Sequence, residues 1–201
     1  MKKNKISKNW INKQHRDIYV RQSKIEGYRS RAVYKLQEID NKFKIFKNAF
    51  SVIDLGAAPG SWSQFAAKKI RNGKIVSIDI KKMEKIDKTF QIIGDFTINE
   101  NKKKITDYIG KKADIVLSDM AANTTGNKNL DSITTGELCF EAMIFANEIL
   151  KKDGMFISKI FMGSSFNDIV IEAKKYFTKT DIFKPLASRK DSRETFIICK
   201  K

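Results

Sequence analysis

The stretch SVIDLGAAPGSWSQ, residues 51–64, joins an apolar run to two glycines, a proline and a tryptophan. It reads as a buried strand, FSVIDL (50–55), that breaks at Gly56 and resumes as a helix, SWSQFAAKKI (61–70). Gly56 permits a tight turn, and Gly60 lets a ligand approach the backbone closely. This is not a Walker loop, because no Gly-Lys-Ser/Thr follows, and it is not G-x-G-x-x-G. Ala57, Ala58 and Pro59 fill the turn, and Pro59 removes an N–H donor that a pyrophosphate would use. A ligand without phosphates fits it better.

Outward from that turn, strand-like and helix-like segments alternate. KIVSIDI (74–80), FQIIGD (90–95), ADIVLSD (113–119) and GMFISKIF (154–161) read as strands. Residues 99–109, 131–151 and 165–177 read as helices between them. KTDIFKP (179–185) and ETFIICK (194–200) close the chain, with no helical pattern between them; they form an antiparallel pair, since a parallel crossover needs about a dozen residues or more. Upstream, SRAVYKLQEIDNKF (30–43) reads as a helix with Ser30 as N-cap. The fold class is α/β: a Rossmann-like, mostly parallel sheet of seven strands, the last antiparallel, with helices on both faces.

In such a sheet the ligand sits beyond the carboxyl ends of the strands, where the strand order reverses. Four acids fall there: Asp54 and Asp79 in the first two strands, Asp95 and Asp119 closing the third and fourth. Asp79 stands where an acid typically binds ribose hydroxyls. Together they repel a polyphosphate. They suit a ligand with a cationic amine, a sulfonium, ribose hydroxyls and an adenine amino group, which describes S-adenosylmethionine. Strand-end aspartates also cap turns, so any single one says little.

The chain has 201 residues and 41% hydrophobic residues, enough for one domain with a real core. No apolar run approaches the roughly 18 residues of a membrane span, and the basic start MKKNKISKNW has no apolar signal core behind it. Cys139 and Cys199 form no framework, which fits a reduced, cytoplasmic protein. His15 is the only histidine, which disfavours His-based triads and most zinc sites, and no metal is expected.

Formal net charge is +17, which favours a polyanionic partner. Of the 40 basic residues 33 are Lys, as AT-rich coding alone would produce. Their distribution separates the two explanations: residues 1–48 carry 14 basic and 4 acidic side chains, more than half the net charge in under a quarter of the chain. Residues 1–27 lack a clean apolar period and read as a basic arm, in which Trp10 and Tyr19 either stack on bases or pack on the domain.

Lys159 interrupts the buried run MFISKIF, and lysine is almost never fully buried unless paired. Asp119, on a neighbouring strand end, is a candidate partner. Lys35 lies at the border of its helix's apolar face, so it either looks into the domain or sits at a solvated edge. Glu194 opens the last strand and by itself would pass for a surface acid.

The chain resembles the FtsJ/RrmJ-type ribose 2′-O-methyltransferases, most closely the bacterial members that methylate a uridine of large-subunit ribosomal RNA. The carrying stretches are SRAVYKLQEID (30–40), DLGAAPGSWSQ (54–64), GDF (94–96), SDMA (118–121), ISKIFMG (157–163) and SRETF (192–196). The resemblance implies a methyltransferase domain over 28–201, S-adenosylmethionine as cofactor and RNA of the assembled large subunit as substrate, with tRNA or another RNA as the alternative. It places a Lys-Asp-Lys-Glu catalytic set on Lys35, Asp119, Lys159 and Glu194, with Lys159 as the base. It places cofactor contacts on Gly60, Trp62, Asp79, Asp95 and Asp119. Phosphates of the RNA would fall to the basic arm, Arg189, Lys190 and Arg193. The chain departs from the family's Gly-Gly-Trp at Ser61 and from its Asp-Met-Ala-Pro-Asn at Ala122. A nicotinamide oxidoreductase would share the sheet but not the glycine spacing; an RNA-binding module without catalysis would not explain Lys159. Nothing in the sequence suggests more than a monomer.

Overall fold

Runs dominated by Ile and Val fit a pleated surface better than a helix, and seven of them form one sheet. The computed structural model describes residues 17–110, 112–121 and 128–201. Its elements in order are α1 (Ile18–Ile25), α2 (Val33–Phe43), β1 (Ser51–Leu55), α3 (Ser61–Lys69), β2 (Lys74–Asp79), β3 (Thr89–Ile93), α4 (Asn99–Ile109), β4 (Ala113–Ser118), α5 (Lys128–Ile149), β5 (Leu150–Phe161), α6 (Phe166–Tyr176), β6 (Lys179–Phe183) and β7 (Glu194–Lys200). The strand order is β3-β2-β1-β4-β5-β7-β6. The first five strands pair in parallel and β7 runs antiparallel to both β5 and β6. This is the Rossmann-like sheet expected, with its order reversing between β1 and β4.

The pleat sends alternate residues to two cores. Val52 and Ile53 are neighbours on β1 and both are fully buried. Ile53 joins Leu55, Val76, Ile105, Phe145 and Phe156 under α4–α6. Val52 joins Leu36, Ile39, Trp62, Phe65 and Phe196 under α2 and α3. A sheet covered on both faces explains why its strands read as unbroken apolar runs.

Three expectations change at element boundaries. The helix expected from Ser30 begins at Val33, with Ala32 as its cap. Ser30 instead stands in the turn before it, where its hydroxyl accepts the Ala32 N–H and lies 2.7 Å from the Ser61 hydroxyl. The third strand ends at Ile93, so Asp95 belongs to the following turn. The helix expected over 131–151 runs from Lys128 to Ile149, and the chain pairs with β4 from Leu150 onward.

Within the segment read as a basic arm, α1 is capped by Asp17, whose carboxylate accepts the Tyr19 N–H at 3.1 Å. The Tyr19 ring packs 5.3 Å from that of Tyr34, with the Arg31 guanidinium over it. Of the alternatives for Tyr19, packing on the domain is the one observed. Trp10, His15 and Ala122 lie outside the described residues. No helix among the described residues is long and apolar enough to cross a membrane.

Candidate active site

The turn after β1 packs tightly against its neighbours. Gly56 has a φ of 68°, and a Cβ there would lie 2.1 Å from Met120 Cγ. Gly60 has a φ of 109°, and a Cβ there would lie 2.6 Å from Ile86 Cδ1 and 2.9 Å from Arg29 Nη1. Only glycine adopts such angles without cost. On the side where a side chain would stand, Gly60 is therefore closed by Ile86 and Arg29.

Asp79 holds the rest of the turn. One carboxylate oxygen accepts the Ala58 N–H at 2.8 Å and the other accepts the Lys81 N–H at 2.7 Å. Arg29 reaches across from the chain before α2 and donates to the carbonyls of Pro59, Glu84 and Lys85 at 2.9–3.0 Å. Trp62 is buried, donates its indole N–H to the Ala32 carbonyl at 2.8 Å and packs on Phe196. These contacts pin the start of α2 to the turn, and Lys35 follows one helical turn later.

At the carboxyl ends of β1, β2 and β4 lies a crevice of about 530 Å³, lined among others by Ala58, Asp79, Ile80, Asp95, Asp119 and Lys159. Three of the four acids face it. The fourth does not: Asp54 is 1% exposed, accepts a hydrogen bond from the Ser63 hydroxyl at 2.5 Å, and lies beneath the turn. The cause is register. Asp54 lies opposite Leu117 and Ser77, inside the sheet, rather than beyond its end. Burial pushes its carboxyl up to about 7, against the Ser63 hydrogen bond and with help from the Asp119 and Asp79 charges. Gly60 and Trp62, expected to touch the cofactor, belong to the turn and helix that follow Ala58 of the crevice and are not among its lining residues.

The four residues of the expected catalytic set are brought together by strand pairing. Ser118 pairs with Ser158, so Asp119 and Lys159 occupy the next rung of β4 and β5. Lys159 is 8% exposed. Its ammonium donates to the Asp119 backbone carbonyl at 2.7 Å and lies 3.1 Å from Asp119 Oδ1. Lys35 Nζ lies 3.7 Å from Asp119 Oδ2 and donates to Glu194 Oε2 at 2.7 Å. Glu194 also accepts from the Ser188 hydroxyl at 2.8 Å. Burial by itself would lower the Lys35 ammonium, but the Asp119 and Glu194 carboxylates outweigh it and hold Lys35 above the ordinary lysine value. Lys35 is therefore a fixed cation.

The set stands between two cavities. Asp119 and Lys159 line the crevice. Lys35 and Glu194 line a second cavity of about 240 Å³, together with Arg31, Arg189 and Ser192. Two ligands, one on each side of the Lys35–Asp119 contact, would meet at Lys159.

Two supporting residues escaped sequence reading. Glu38 accepts the backbone N–H groups of Leu186 and Ala187, the latter at 2.8 Å, and so anchors the loop between β6 and β7. Arg31 binds Asp17 and the Ala187 carbonyl. The available signal for Glu38 was its spacing of three from Lys35, which puts both on one side of α2.

A model of FtsJ-like methyltransferases matches residues 28–201. A ribosomal RNA large subunit methyltransferase E from Pelagibacter ubique is 62% identical over 200 residues, covering 100% of this chain and 98% of the relative. One of the same description from Rickettsia bellii is 44% identical over 198 residues, covering 96% and 87%. Among solved structures, a Plasmodium falciparum protein described as a ribosomal RNA methyltransferase superposes with a TM-score of 0.77 at 33% identity, covering 87% of this chain and 98% of that one. With a two-sided site at the switch point of the sheet and a family match across most of its length, the chain belongs to the FtsJ-like methyltransferases.

Proposed function

We propose that the protein transfers a methyl group from S-adenosylmethionine to the 2′-hydroxyl of a uridine ribose in the RNA of the large ribosomal subunit, with Lys159 as general base. The observation that carries this reading is the placement of Lys159, Asp119, Lys35 and Glu194 between an acidic crevice and a basic cavity. The descriptions of the relatives as large-subunit methyltransferases support the substrate.

The crevice fits the cofactor's chemistry. It carries three carboxylates, Asp79, Asp95 and Asp119, suited to a cationic ligand, and its lining includes the apolar Ile78, Phe96 and Leu138. Asp79 and Asp95 would take ribose hydroxyls and a ring amino group. When bound, S-adenosylmethionine supplies an electrophilic methyl carbon, which the 2′-oxygen accepts as the carbon–sulfur bond breaks.

Arg189 in the basic cavity, with Lys190 and Arg193 beside it in sequence, would hold the flanking phosphates, each pairing a cation with an anion. Lys35, held charged, orients the hydroxyl. Once deprotonated, Lys159 takes the hydroxyl proton at Nζ, and Asp119 holds Lys159 in reach through its carbonyl and its carboxylate. Positioning of this kind can contribute on the order of 7–11 kcal/mol, more than general-base help of roughly 10²–10⁴-fold.

The test uses methyl-labelled S-adenosylmethionine and large subunits from a strain lacking the modification. Wild-type protein should label the RNA at a ribose that resists alkali. Lys159→Ala should lose roughly 10²–10⁴-fold in rate while binding S-adenosylmethionine with little change in affinity. A variant with near-full activity would remove Lys159 as the base, and label appearing only in small RNAs would move the substrate to tRNA.

A further inference from the structure

In a chain with 40 basic residues, 129–150 contain none, and 129–173 contain only Lys151, Lys152 and Lys159. Burial accounts for part of this, since the stretch includes much of the core, but its solvent-facing helix positions are also free of lysine. In the fold this stretch supplies α5 and most of α6, and between these helices lies a groove of about 350 Å³. Its apolar side is Ile133, Phe140 and Ile169; its rim is Glu137, Glu141, Asp168 and Glu172. Ile133 is 43% exposed, a large apolar side chain left in water.

The acids come at helical spacing, Glu137 with Glu141 on α5 and Asp168 with Glu172 on α6. Like charges four residues apart destabilise a helix, each pair by about 0.2–0.5 kcal/mol. Lys175 neutralises Glu172 at 2.5 Å. Glu137, Glu141 and Asp168 form no ion pair among the described residues. The helices therefore carry unfavourable charge that the fold does not use, aimed at one apolar cleft.

This face adjoins the site. α5 also gives Leu138 to the wall of the crevice, and Ser165 of the groove follows the strand that carries Lys159. RNA bound at the site would run close by, yet an acidic rim repels phosphates. We infer that the groove between α5 and α6 docks a lysine- or arginine-bearing segment of a protein of the large ribosomal subunit, one apolar side chain seated against Ile133, Phe140 and Ile169. The inference rests on the large-subunit reading of the substrate. It divides the molecule into a basic side for RNA and an acidic groove for the cationic protein beside it.

The test is the triple variant Glu137→Gln, Glu141→Gln, Asp168→Asn, which keeps shape and removes three charges. Long-range electrostatics alone requires the variant to bind a polyanion as tightly as wild type or more tightly. Binding is measured by sedimentation, at one fixed salt, with intact large subunits and with the protein-free RNA extracted from them. The expected result is binding to intact subunits weakened about tenfold, with binding to free RNA unchanged or tightened. Equal effects on both targets, or no loss on intact subunits, would overturn the docking surface. Methyl transfer is scored separately in the wild-type samples, so that its absence would count against the reaction while sedimentation decides the surface.

Discussion

Lys35 and Lys159 are one residue type within one cluster, and their neighbours give them different work. Lys35 touches two carboxylates, Asp119 and Glu194, and is held as a cation. Lys159 shares only Asp119 and spends a hydrogen bond on a backbone carbonyl. Removing a proton from Lys35 would leave two buried anions short of a partner, which supports the proposed assignment of the base role to Lys159. Asp54 shows a third outcome of burial. Its carboxyl is raised from 3.8 to about 7. The folded state therefore holds a proton that the unfolded chain releases near pH 4, so stability is full below that point and declines as pH rises toward about 7. Asp54→Asn, which keeps an acceptor for Ser63, should flatten that decline and raise stability at neutral pH. Urea unfolding followed across this window checks it, and an unchanged pH profile would mean that Asp54 ionises freely in the native state. The two cysteines are also buried, with thiols pushed up to about 12 by burial, which makes them inert core residues.

At the scale of elements, the site depends on segments that touch neither ligand. The chain from Arg29 to Ala32 is clamped to the turn after β1 by the Arg29 guanidinium, the Trp62 indole and the Ser30–Ser61 hydroxyl contact. Ser61, where the family usually has glycine, thus acquires a partner of its own. Glu38 does the same at the other end of the site by holding the backbone N–H groups of Leu186 and Ala187. That loop carries Ser188 and leads to Glu194. Glu38→Ala should free it, leave Glu194 without its fixed geometry and slow methyl transfer about tenfold, since hydrogen bonds to a charged group contribute about 1.5–3 kcal/mol. Affinity for S-adenosylmethionine should stay unchanged, because Glu38 is remote from the crevice. Parallel rate and binding measurements separate this from a general loss of folding, which would lower both.

At the scale of the whole molecule, charge is segregated. The net +17 is concentrated at the start of the chain and around the second cavity, and is absent from the α5–α6 groove. RNA affinity should therefore fall linearly with the logarithm of salt. Residues 1–16 contain six basic side chains and no acid. Their deletion should make the slope shallower by up to about four if each meets a single-stranded phosphate. Filter binding over a salt series reads the slope directly; an unchanged slope would mean that these residues stay away from the RNA. Both cores lie on the two faces of one sheet, and the proposed sites for two ligands are the two cavities that meet at the Lys35–Asp119 contact.

The alternation of apolar strands with helices, the pairing sense of the last two strands and the position of the glycine turn after β1 were legible in the sequence because each is a local pattern. So was the oddity of Lys159, a charge inside an apolar run. Family resemblance, not spacing, singled out Lys35 and Glu194, which lie 159 residues apart and meet only through α2 and β7. Tertiary structure alone decided that Asp54 is buried one rung inside the sheet, while Asp79 and Asp119 reach its end. It also decided that Ile86 and Arg29 close in where a Gly60 side chain would stand. A residue's pattern fixes which face of an element it occupies, but its distance from the end of a sheet and the side chains opposite it depend on how strands from distant parts of the chain come into register.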